Sequence, residues 1–576
     1  MPVTVTSVIE AQLVSGTWTD LSADVLNGVT VRRGIQGNGP RDGSASTGEL
    51  RFDLNNSAQN AGGILGWYSP AHASKRTGWG YGIPLRWYLT YVAAAAVTSI
   101  TRALTTVTVT TTAPHGLTTG MWAKVAGAVQ TDYNGVWQVT VTGASTFTYA
   151  VTTAPVTPAT GTLTWQRAHV QFRGKVGSIM PDAGQHQNRR VHVVGYDPIR
   201  DLMEADIREV SVQTNQTESQ LLTTIINALP VTAQPPAVDF DAGLDTYPYA
   251  FDDLGPGARA ATLANDIVLS GLGAFFATGD GTLRYVTRRN RALAVSGLTL
   301  SNAMVELLVP STLDGVFNRV RTTIHPKTID AAATTVLWAQ TGEPPSISPG
   351  DTITLWGTYY QTGVQERLIG GTQQVTPIVA TTDYLGNAAS DGSGADLTAD
   401  LSIVTTPFAS TVKYDVTNTG AAAVYLTKLQ IRGKGVYDNG PRTLESYVAA
   451  DYGDRPIEID LPYQDDPYLG QDLASYIRAQ YDGLESMVES VEFIATTNTT
   501  MLGAALSLEP TDVITLTETV SGLSGTDAIV QSVELTLVTS QHLRCRYLLA
   551  PAAPFAFWSL GTAGASELGE TTVLGF

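Results

Sequence analysis

Apolar and polar side chains alternate with a period of two along several short stretches of the chain. The alternation covers residues 29–34 and 48–54 near the start, and it returns at 168–174 and 190–196. Because successive side chains of a strand point to opposite faces, each stretch predicts a β-strand with one buried face. A similar pattern at 318–324 predicts a strand in the second half of the chain.

Three other stretches place apolar residues at helical spacing. Thr217-Glu218-Ser219-Gln220 resembles a capping box, and the apolar residues after it run to Pro230, which would end the helix. Further amphipathic helices are predicted at 258–272 and 468–484. Residues 273–286 predict a hairpin around a Gly-Asp-Gly turn, so a small α/β unit is expected in this part of the chain.

Residues 96–165 are rich in Thr and Val and nearly free of charge. β-branched residues suit the pleated surface of a sheet, and Tyr133-Asn134-Gly135 predicts a turn. This stretch is therefore predicted to be an inserted β domain that folds by itself. A second β-rich stretch reaches about residue 435, and its segments 414–420 and 424–427 are predicted to form a hairpin.

The composition narrows the class of protein. A chain of 576 residues exceeds the size of one hydrophobic core, so about three to five domains are expected. Only 15% of the residues are charged and the net charge is −18, which disfavours sequence-specific nucleic-acid binding and docking on anionic membranes. The same charge would suit plain solubility or the wall of a conduit for DNA.

Cysteine content and the N-terminus add two expectations. The single cysteine, Cys545, excludes a disulfide within the chain and is predicted to be a small strand residue. The first residues contain no basic start and no apolar core, so synthesis in a cytoplasm without a signal peptide is expected. The longest apolar run is too short to span a bilayer, and no stable membrane insertion is expected.

The sequence contains no motif that predicts catalysis. The seven histidines are scattered, and the pair with the closest spacing, His186 and His192, is predicted to lie in a loop and a strand rather than in a metal site. The chain has no Gly-x-Ser-x-Gly elbow, no Walker A motif and no dinucleotide fingerprint. No catalytic, cofactor-binding or metal-binding residue is therefore predicted, and no cofactor.

Three weaker patterns could indicate a catalytic or ligand-binding site, but each also has a purely structural interpretation. Two distant carboxylates could form a glycosidase pair, although surface or helix-start acids are the favoured interpretation. The segment 391–396 resembles a calcium loop but lacks the closing glutamate, so a flexible loop is predicted. An aromatic cluster near residue 80 could stack on sugars, although such clusters more often anchor a core or an interface. The acids are Asp454, Asp465 and Asp466, near Tyr452, Tyr463 and Tyr468, and the aromatic residues are Trp67, Tyr68, Trp79, Tyr81, Trp87 and Tyr88.

The two ends of the chain resemble the tail-tip (baseplate) hub and minor tail proteins of long-tailed bacteriophages. The N-terminal resemblance is carried by Gly48-Glu49-Leu50-Arg51-Phe52-Asp53-Leu54-Asn55-Asn56 and by residues 16–25, 31–34, 68–70 and 83–86. The later resemblance is carried by residues 401–403, 414–420, 426–434, 454–457, 461–463 and 566–569. The insert resembles a module of phage and surface proteins through residues 115–117, 133–135 and 146–149. One departure is Ser57-Ala58-Gln59, which stands where the family has Asp-Gly-Arg.

The resemblance implies a structural virion protein and not an enzyme: a homotrimeric hub in which two tube-type β-barrels per subunit continue a hexameric tail tube. The implied partners are distal tail or tail-tube proteins, the tape measure protein, and tail fibre or receptor-binding proteins. The fold class expected is mainly β with minor α/β, multidomain, with inserted β-sandwich-like domains. The domains expected are a first barrel (1–95 and 166–212), an inserted β domain (96–165), an α/β domain (213–300), a second barrel (301–330 and 451–551, with a helix), a sandwich-like insert (331–450) and a tail (552–576).

Two other functions stay open at this point. A surface carbohydrate-binding adhesin would use exposed aromatic residues, although the expected lack of an export signal disfavours it. A cell-wall glycan-cleaving tail enzyme would need a carboxylate pair brought together by the fold.

Overall fold

The computed structural model describes residues 2–26, 28–182, 189–207, 210–251, 258–310, 312–359, 367–483, 488–552, 556–557 and 572–573. Nearly half of these residues lie in β-strands that form several sheets, and the α-helices are short. The mainly β, multi-sheet fold with a minor α/β part, which the alternation of side chains predicts, is confirmed.

The first strands of the chain form an antiparallel series. They are β1 (Thr6–Val14), β2 (Thr17–Asp20), β3 (Val29–Gly34), β4 (Glu49–Asn55), β5 (Pro84–Thr90), β6 (Ala95–Ala103), β7 (Thr106–Thr111), β8 (Trp122–Ala128), β9 (Gly135–Gln138), β10 (Thr140–Gly143), β11 (Thr146–Ala150), β12 (Gly161–Pro181) and β13 (Arg190–Tyr196). The pairing order β2-β1-β5-β12-β13-β4-β3 defines the N-terminal strand set. The strands predicted at 29–34, 48–54, 168–174 and 190–196 are all present in it.

Strands β6 to β11 and the start of β12 surround a core of their own, built from residues between Val97 and Trp165. The predicted turn lies between β8 and β9, where the Asn134 side chain bonds to both the N–H (2.9 Å) and the C=O (2.8 Å) of Ala128. Strand β12 is 21 residues long and continues from this core into the N-terminal strand set. The boundary predicted between residues 165 and 166 therefore falls inside one continuous strand.

The segment after β13 contains most of the α-helical residues that the structure describes. Its elements are α1 (Ile199–Glu204), β14 (Gln213–Thr217), α2 (Glu218–Ala228), β15 (Ala237–Phe240), β16 (Thr246–Ala250), α3 (Ala260–Gly271), β17 (Ala274–Ala277), β18 (Thr282–Val286) and α4 (Arg288–Ala292). The capping box at Thr217 and Gln220, the second helix and the hairpin of β17 and β18 are confirmed. The apolar faces of α2 and α3 pack in one core with β17 and β18.

The next strands belong to three regions: the C-terminal strand set, a small sheet and a sandwich. They are β19 (Ser296–Ser301), β20 (Glu306–Leu308), β21 (Arg319–Ile324), β22 (Lys327–Ile329), β23 (Thr335–Ala339), β24 (Ser346–Ile347), β25 (Thr352–Thr358), β26 (Arg367–Thr372), β27 (Tyr384–Asn387), β28 (Leu401–Pro407), β29 (Thr411–Asn418), β30 (Val424–Asp438), β31 (Arg442–Tyr447) and β32 (Pro456–Leu461). Strand β21 lies between β31 and β32 in a small sheet, and the strand predicted at 318–324 is thereby confirmed.

Strands β22 to β30 form a sandwich in which β29 and β30 belong to different sheets. Strand β29 pairs with β25 and β28, whereas β30 pairs with β22, β23, β24, β26 and β27. The predicted hairpin of these two strands is therefore wrong. Their apolar faces meet across one core, which includes Tyr414 and Leu426, so the chain crosses between sheets instead of turning back along one edge.

The last part of the chain consists of α5 (Pro467–Tyr481), β33 (Ser490–Ile494), α6 (Thr499–Ala505), β34 (Val513–Glu518), β35 (Leu523–Thr539), β36 (His542–Pro551), β37 (Ala556–Phe557) and β38 (Thr572–Val573). The helix predicted at 468–484 is present as α5, whose N-cap is Asp466, and residue 484 lies outside the described residues. The C-terminal strand set has the order β20-β33-β36-β35-β34-β19.

The two strand sets join through β3 and β35, which pair from Val29 with Leu537 to Gly34 with Ser532. A single apolar core lies under both sets. It includes Cys545, which is a strand residue as predicted and is buried. Among the described residues, strand pairing closes neither set into a barrel, because β2, β19 and β20 each pair on one side only.

Candidate functional site

Two of the three acidic residues near tyrosines make structural contacts. Asp454 binds the guanidinium of Arg319 at 2.9 Å, and Asp466 caps helix α5 by accepting from the N–H of Tyr468 at 2.8 Å. Asp465, whose pKa is raised by burial, follows strand β32, whereas Asp454 precedes it. A strand of this length separates the two ends by about 20 Å, which exceeds the spacing of glycosidase carboxylates.

His192 is held between two carboxylates on the surface of the N-terminal strand set. Its Nδ1 lies 2.6 Å from Asp53 Oδ1 and its Nε2 lies 3.1 Å from Asp182 Oδ1. Arg190 binds the same two carboxylates and holds the pKa of Asp182 below its ordinary value. His186 lies outside the described residues, and within them no cluster of three or more His, Cys, Asp or Glu side chains could hold a metal ion.

The loop at 391–396 uses its carboxylates for turns. Asp391 accepts from the N–H of Ser393 at 2.9 Å, and Asp396 accepts from the N–H of Thr398 at 2.9 Å. These contacts agree with the predicted loop. No helix in the described part of the chain is long and apolar enough to cross a bilayer.

The aromatic cluster near residue 80 belongs mainly to the core. Tyr68 and Trp79 are buried with their rings 5.4 Å apart, and the Tyr68 hydroxyl donates to Asp24 at 2.6 Å. Trp87 and Tyr88 are buried in β5 as well. Tyr81 differs, because 61% of its surface is exposed. Most of this cluster therefore cannot stack on a sugar.

The best-defined polar site lies where the two strand sets meet. Arg33 projects from β3 and is 1% exposed, and its Nη2 donates to Glu509 Oε1 at 3.1 Å and to Gln171 Oε1 at 3.4 Å. Gln171 in turn donates to the carbonyl of Leu506 at 2.8 Å, and the N–H of Gly279 donates to Glu509 at 3.1 Å. We call these five residues the Arg33 network; it links β3, β12, the β17–β18 hairpin and the loop before β34.

Backbones approach closely beside this network. Gly34 has a φ of +99°, and a Cβ there would lie 2.6 Å from the carbonyl oxygen of Gln531 on β35. Glycine is therefore required where β3 packs against the C-terminal strand set. Burial raises the pKa of Glu509 to about 7, although Arg33 opposes the rise.

A second buried network holds the α/β segment against the small sheet of β21. Arg288 donates to both oxygens of Asp245 at 2.8 and 2.9 Å, and Gln464 Nε2 donates to Asp245 at 3.2 Å. Glu218 is fully buried beside them, and its pKa is raised to about 7 by burial and by the charge of Asp245. We call Glu218, Asp245, Arg288 and Gln464 the Arg288 network.

Neither network was singled out from the sequence, yet one signal was present for Arg33. In the alternating stretch 29–34, Arg33 lies on the same face as Val29 and Val31. The alternation therefore predicts that this charged residue is buried. A charge in a buried phase needs a partner, and the sequence does not say which acid supplies it. Both networks contain buried ion pairs and amides that fix one part of the chain against another.

Comparison with solved structures found proteins of similar fold. No family model matches the chain, and no curated protein matches it either. Its fold is similar to the 43 kDa tail protein of prophage MuSo2 from Shewanella oneidensis, with 10% identity and a TM-score of 0.44 over 95% of this chain and 99% of that one. It is also similar to a tail protein from Neisseria meningitidis MC58, with 8% identity and a TM-score of 0.41 over 95% and 96% of the two chains.

A third structure, prophage tail protein gp18 from Listeria monocytogenes EGD-e, aligns over 94% of each chain with 7% identity and a TM-score of 0.35.

Proposed function

We propose that this chain is a structural protein of a phage tail, and that it is the hub of the tail tip. The observation that supports this most is the pairing of β3 with β35, which joins strands from both ends of the chain over one core. The other segments are inserted between these strands in the sequence, and each folds around a core of its own. A rigid body made by the two strand sets, with separately packed segments attached, is suited to an assembly ring.

Free strand edges support the same proposal. Strands β2, β19 and β20 each have one side without a strand partner among the described residues. Open edges tend to pair with other chains, and a closed ring gives them defined partners. In a trimer, two strand sets per subunit would give six sets around the axis. The net charge of −18 would disfavour adhesion of DNA passing through such a ring.

The hub would act by holding neighbouring parts of the virion together. Distal tail or tail-tube proteins would continue the ring on one side, with the tape measure protein and tail fibre or receptor-binding proteins as further partners. The networks around Arg33 and Arg288 would keep the attached segments in fixed positions while force passes through the tail.

The first prediction concerns oligomeric state. The purified chain is expected to form a trimer, with a mass about three times its 61.0 kDa. Light scattering coupled to size-exclusion chromatography measures this mass directly. A monomer that persists up to high protein concentration would contradict the proposal.

The second prediction concerns the insert at 96–165. Deleting it is expected to leave the trimer intact, because it has a core of its own and the cut ends are close: Ala95 pairs across the sheet with Trp165, the last deleted residue. A loss of thermal stability is expected, since Arg86 loses its hydrogen bond to the carbonyl of Val136 and Asp280 loses that from Trp122. Val8 and Tyr88 also lose their packing against Val136.

Light scattering of the deletion variant checks the mass, and circular dichroism checks that the strands remain. Loss of the trimer in a folded variant would show that the insert belongs to the ring.

A further inference from the structure

One face of the β25-β29-β28 sheet points away from the core of the sandwich. Its side chains alternate with the buried ones along all three strands. The outward residues are Thr352, Thr354, Trp356 and Thr358 on β25, Thr411, Lys413, Asp415 and Thr417 on β29, and Ser402, Val404 and Thr406 on β28. Hydroxyl groups thus dominate a broad exposed surface, which we call the Trp356 face.

Trp356 is exposed and yet held in place. Its exposed fraction is 55%, and its ring stacks on Phe408 with centroids 5.8 Å apart and planes 12° from parallel. Phe408 is buried, and its backbone donates to Thr411 at 2.8 Å and accepts from Gln374 at 3.1 Å. Because Phe408 supports one part of the indole, Trp356 offers a rigid apolar platform with little freedom left to lose on binding.

Polar groups lie in ordered rows beside this platform. Across the strands, Trp356 is next to Lys413, and the neighbouring row holds Thr354 and Asp415. Asp415 accepts from the Thr354 hydroxyl at 2.6 Å and pairs with Lys413 Nζ at 3.0 Å. The carboxylate and ammonium are thereby oriented, and each keeps hydrogen-bonding capacity for a ligand that lies on the indole.

We propose that the Trp356 face binds a carbohydrate chain, with one sugar ring stacked on Trp356 and adjoining hydroxyls bonded to Asp415, Lys413 and the threonine row. A pyranose ring has a face of C–H groups, whose slight positive charge complements the negative face of an indole. Its edge carries hydroxyls that both donate and accept, which matches an acid, an amine and hydroxyl groups spaced by about 5 Å across strands. This inference goes beyond the proposed hub function and does not depend on it.

Charge and composition favour a sugar over the other classes of ligand. Lys413 and Asp415 neutralise each other, so this face has no excess positive charge to attract a nucleic acid. Protein interfaces place several apolar anchors at a centre depleted of charge, whereas here Trp356 and Val404 are separated by polar neighbours.

The test starts with the full-length chain on an array of bacterial capsular, O-antigen and cell-wall polysaccharides. The strongest binder is then titrated calorimetrically against wild type and four variants. Trp356→Ala is expected to weaken binding at least tenfold and Asp415→Asn severalfold, whereas Trp356→Phe keeps a ring and retains part of the affinity. Tyr468→Ala is the matched control, because Tyr468 is 84% exposed but lies at the start of α5, and it should bind as wild type does.

Two results would overturn the proposal: no polysaccharide bound by wild type, or equal binding by wild type and Trp356→Ala. If the variant with equal binding also lost its trimer, the Trp356 face would be a subunit interface. Thermal unfolding checks that each variant is folded. Trimer formation is measured separately, so failure of glycan binding and failure of the hub proposal are distinguishable.

Discussion

Replacing Arg288 with methionine is expected to lower the free energy of unfolding by about 3–5 kcal/mol. The Arg288 guanidinium is 1% exposed and forms a bidentate ion pair with Asp245, beside the buried carboxyl of Glu218. Methionine fills similar volume but leaves the acidic side chains without this cation. The cost is therefore that of an uncompensated buried charge and not that of a cavity.

The loss should appear first in the α/β segment. Hydrogen exchange is expected to accelerate in α2 and α3, and calorimetry should show an early transition, since a chain with several cores need not unfold in one step. Arg289→Met is the matched control, because Arg289 is the next residue and is exposed; a change below about 0.5 kcal/mol is expected. Adding Asp245→Leu to Arg288→Met should recover part of the stability. An Arg288→Met protein as stable as the Arg289 control would contradict the role given to this network.

Replacing Arg33 with methionine is expected to loosen the junction of the two strand sets, at a cost of about 3 kcal/mol at pH 8. The change removes the ion pair to Glu509 at 3.1 Å and the bond to Gln171 while keeping an apolar stem under the sheet. Faster hydrogen exchange is expected in both β3 and β35. If the junction carries the ring, the trimer should also dissociate at a lower temperature.

The cost of Arg33→Met should depend on pH. The folded-state pKa of Glu509 is about 7 against an ordinary value of 4.5, because burial outweighs the attraction of Arg33. A raised carboxyl pKa means that the folded protein binds a proton more tightly than the unfolded chain, so the stability contributed by this group falls as pH rises from about 4.5 to 7. Without Arg33 the pKa rises further, and the deficit of the variant should grow between pH 5 and pH 8.

Arg32→Met provides the control for this pH series, since Arg32 is the neighbouring residue of the same strand and is exposed. Its stability should follow that of wild type at each pH. A cost of Arg33→Met that is the same at pH 5 and pH 8 would show that packing, and not the charge of Glu509, explains the effect.

Together the two networks give a physical account of how a chain with several cores can act as one body. Each network joins residues that are far apart in sequence: Arg33 with Glu509, and Asp245 with Gln464. Buried ion pairs contribute little net stability compared with apolar packing, but they select one arrangement of the parts over others.

The local elements of this protein can be predicted from short stretches of sequence. The strands at 29–34 and 190–196, the capping box at Thr217 and Gln220, and the helix that begins after Asp466 all follow from spacing and end signals. Each of these features depends on residues that are close together in sequence. The short-range pattern of apolar and polar residues is therefore enough to predict it. The absence of catalytic motifs and the acidic charge could also be read directly.

Which strands pair with one another depends on the tertiary structure. Alternation tells which face of a strand is buried but not which strand lies beside it, so the pairing of β3 with β35 and the placement of β29 and β30 in different sheets could not be predicted. The same limit applies to the polar sites. The position of Arg33 in the alternating strand predicts a buried charge. Its ion-pair partner Glu509, and the packing of the exposed Trp356 on Phe408, depend instead on contacts between residues far apart in sequence. Such contacts form only when the whole chain is packed.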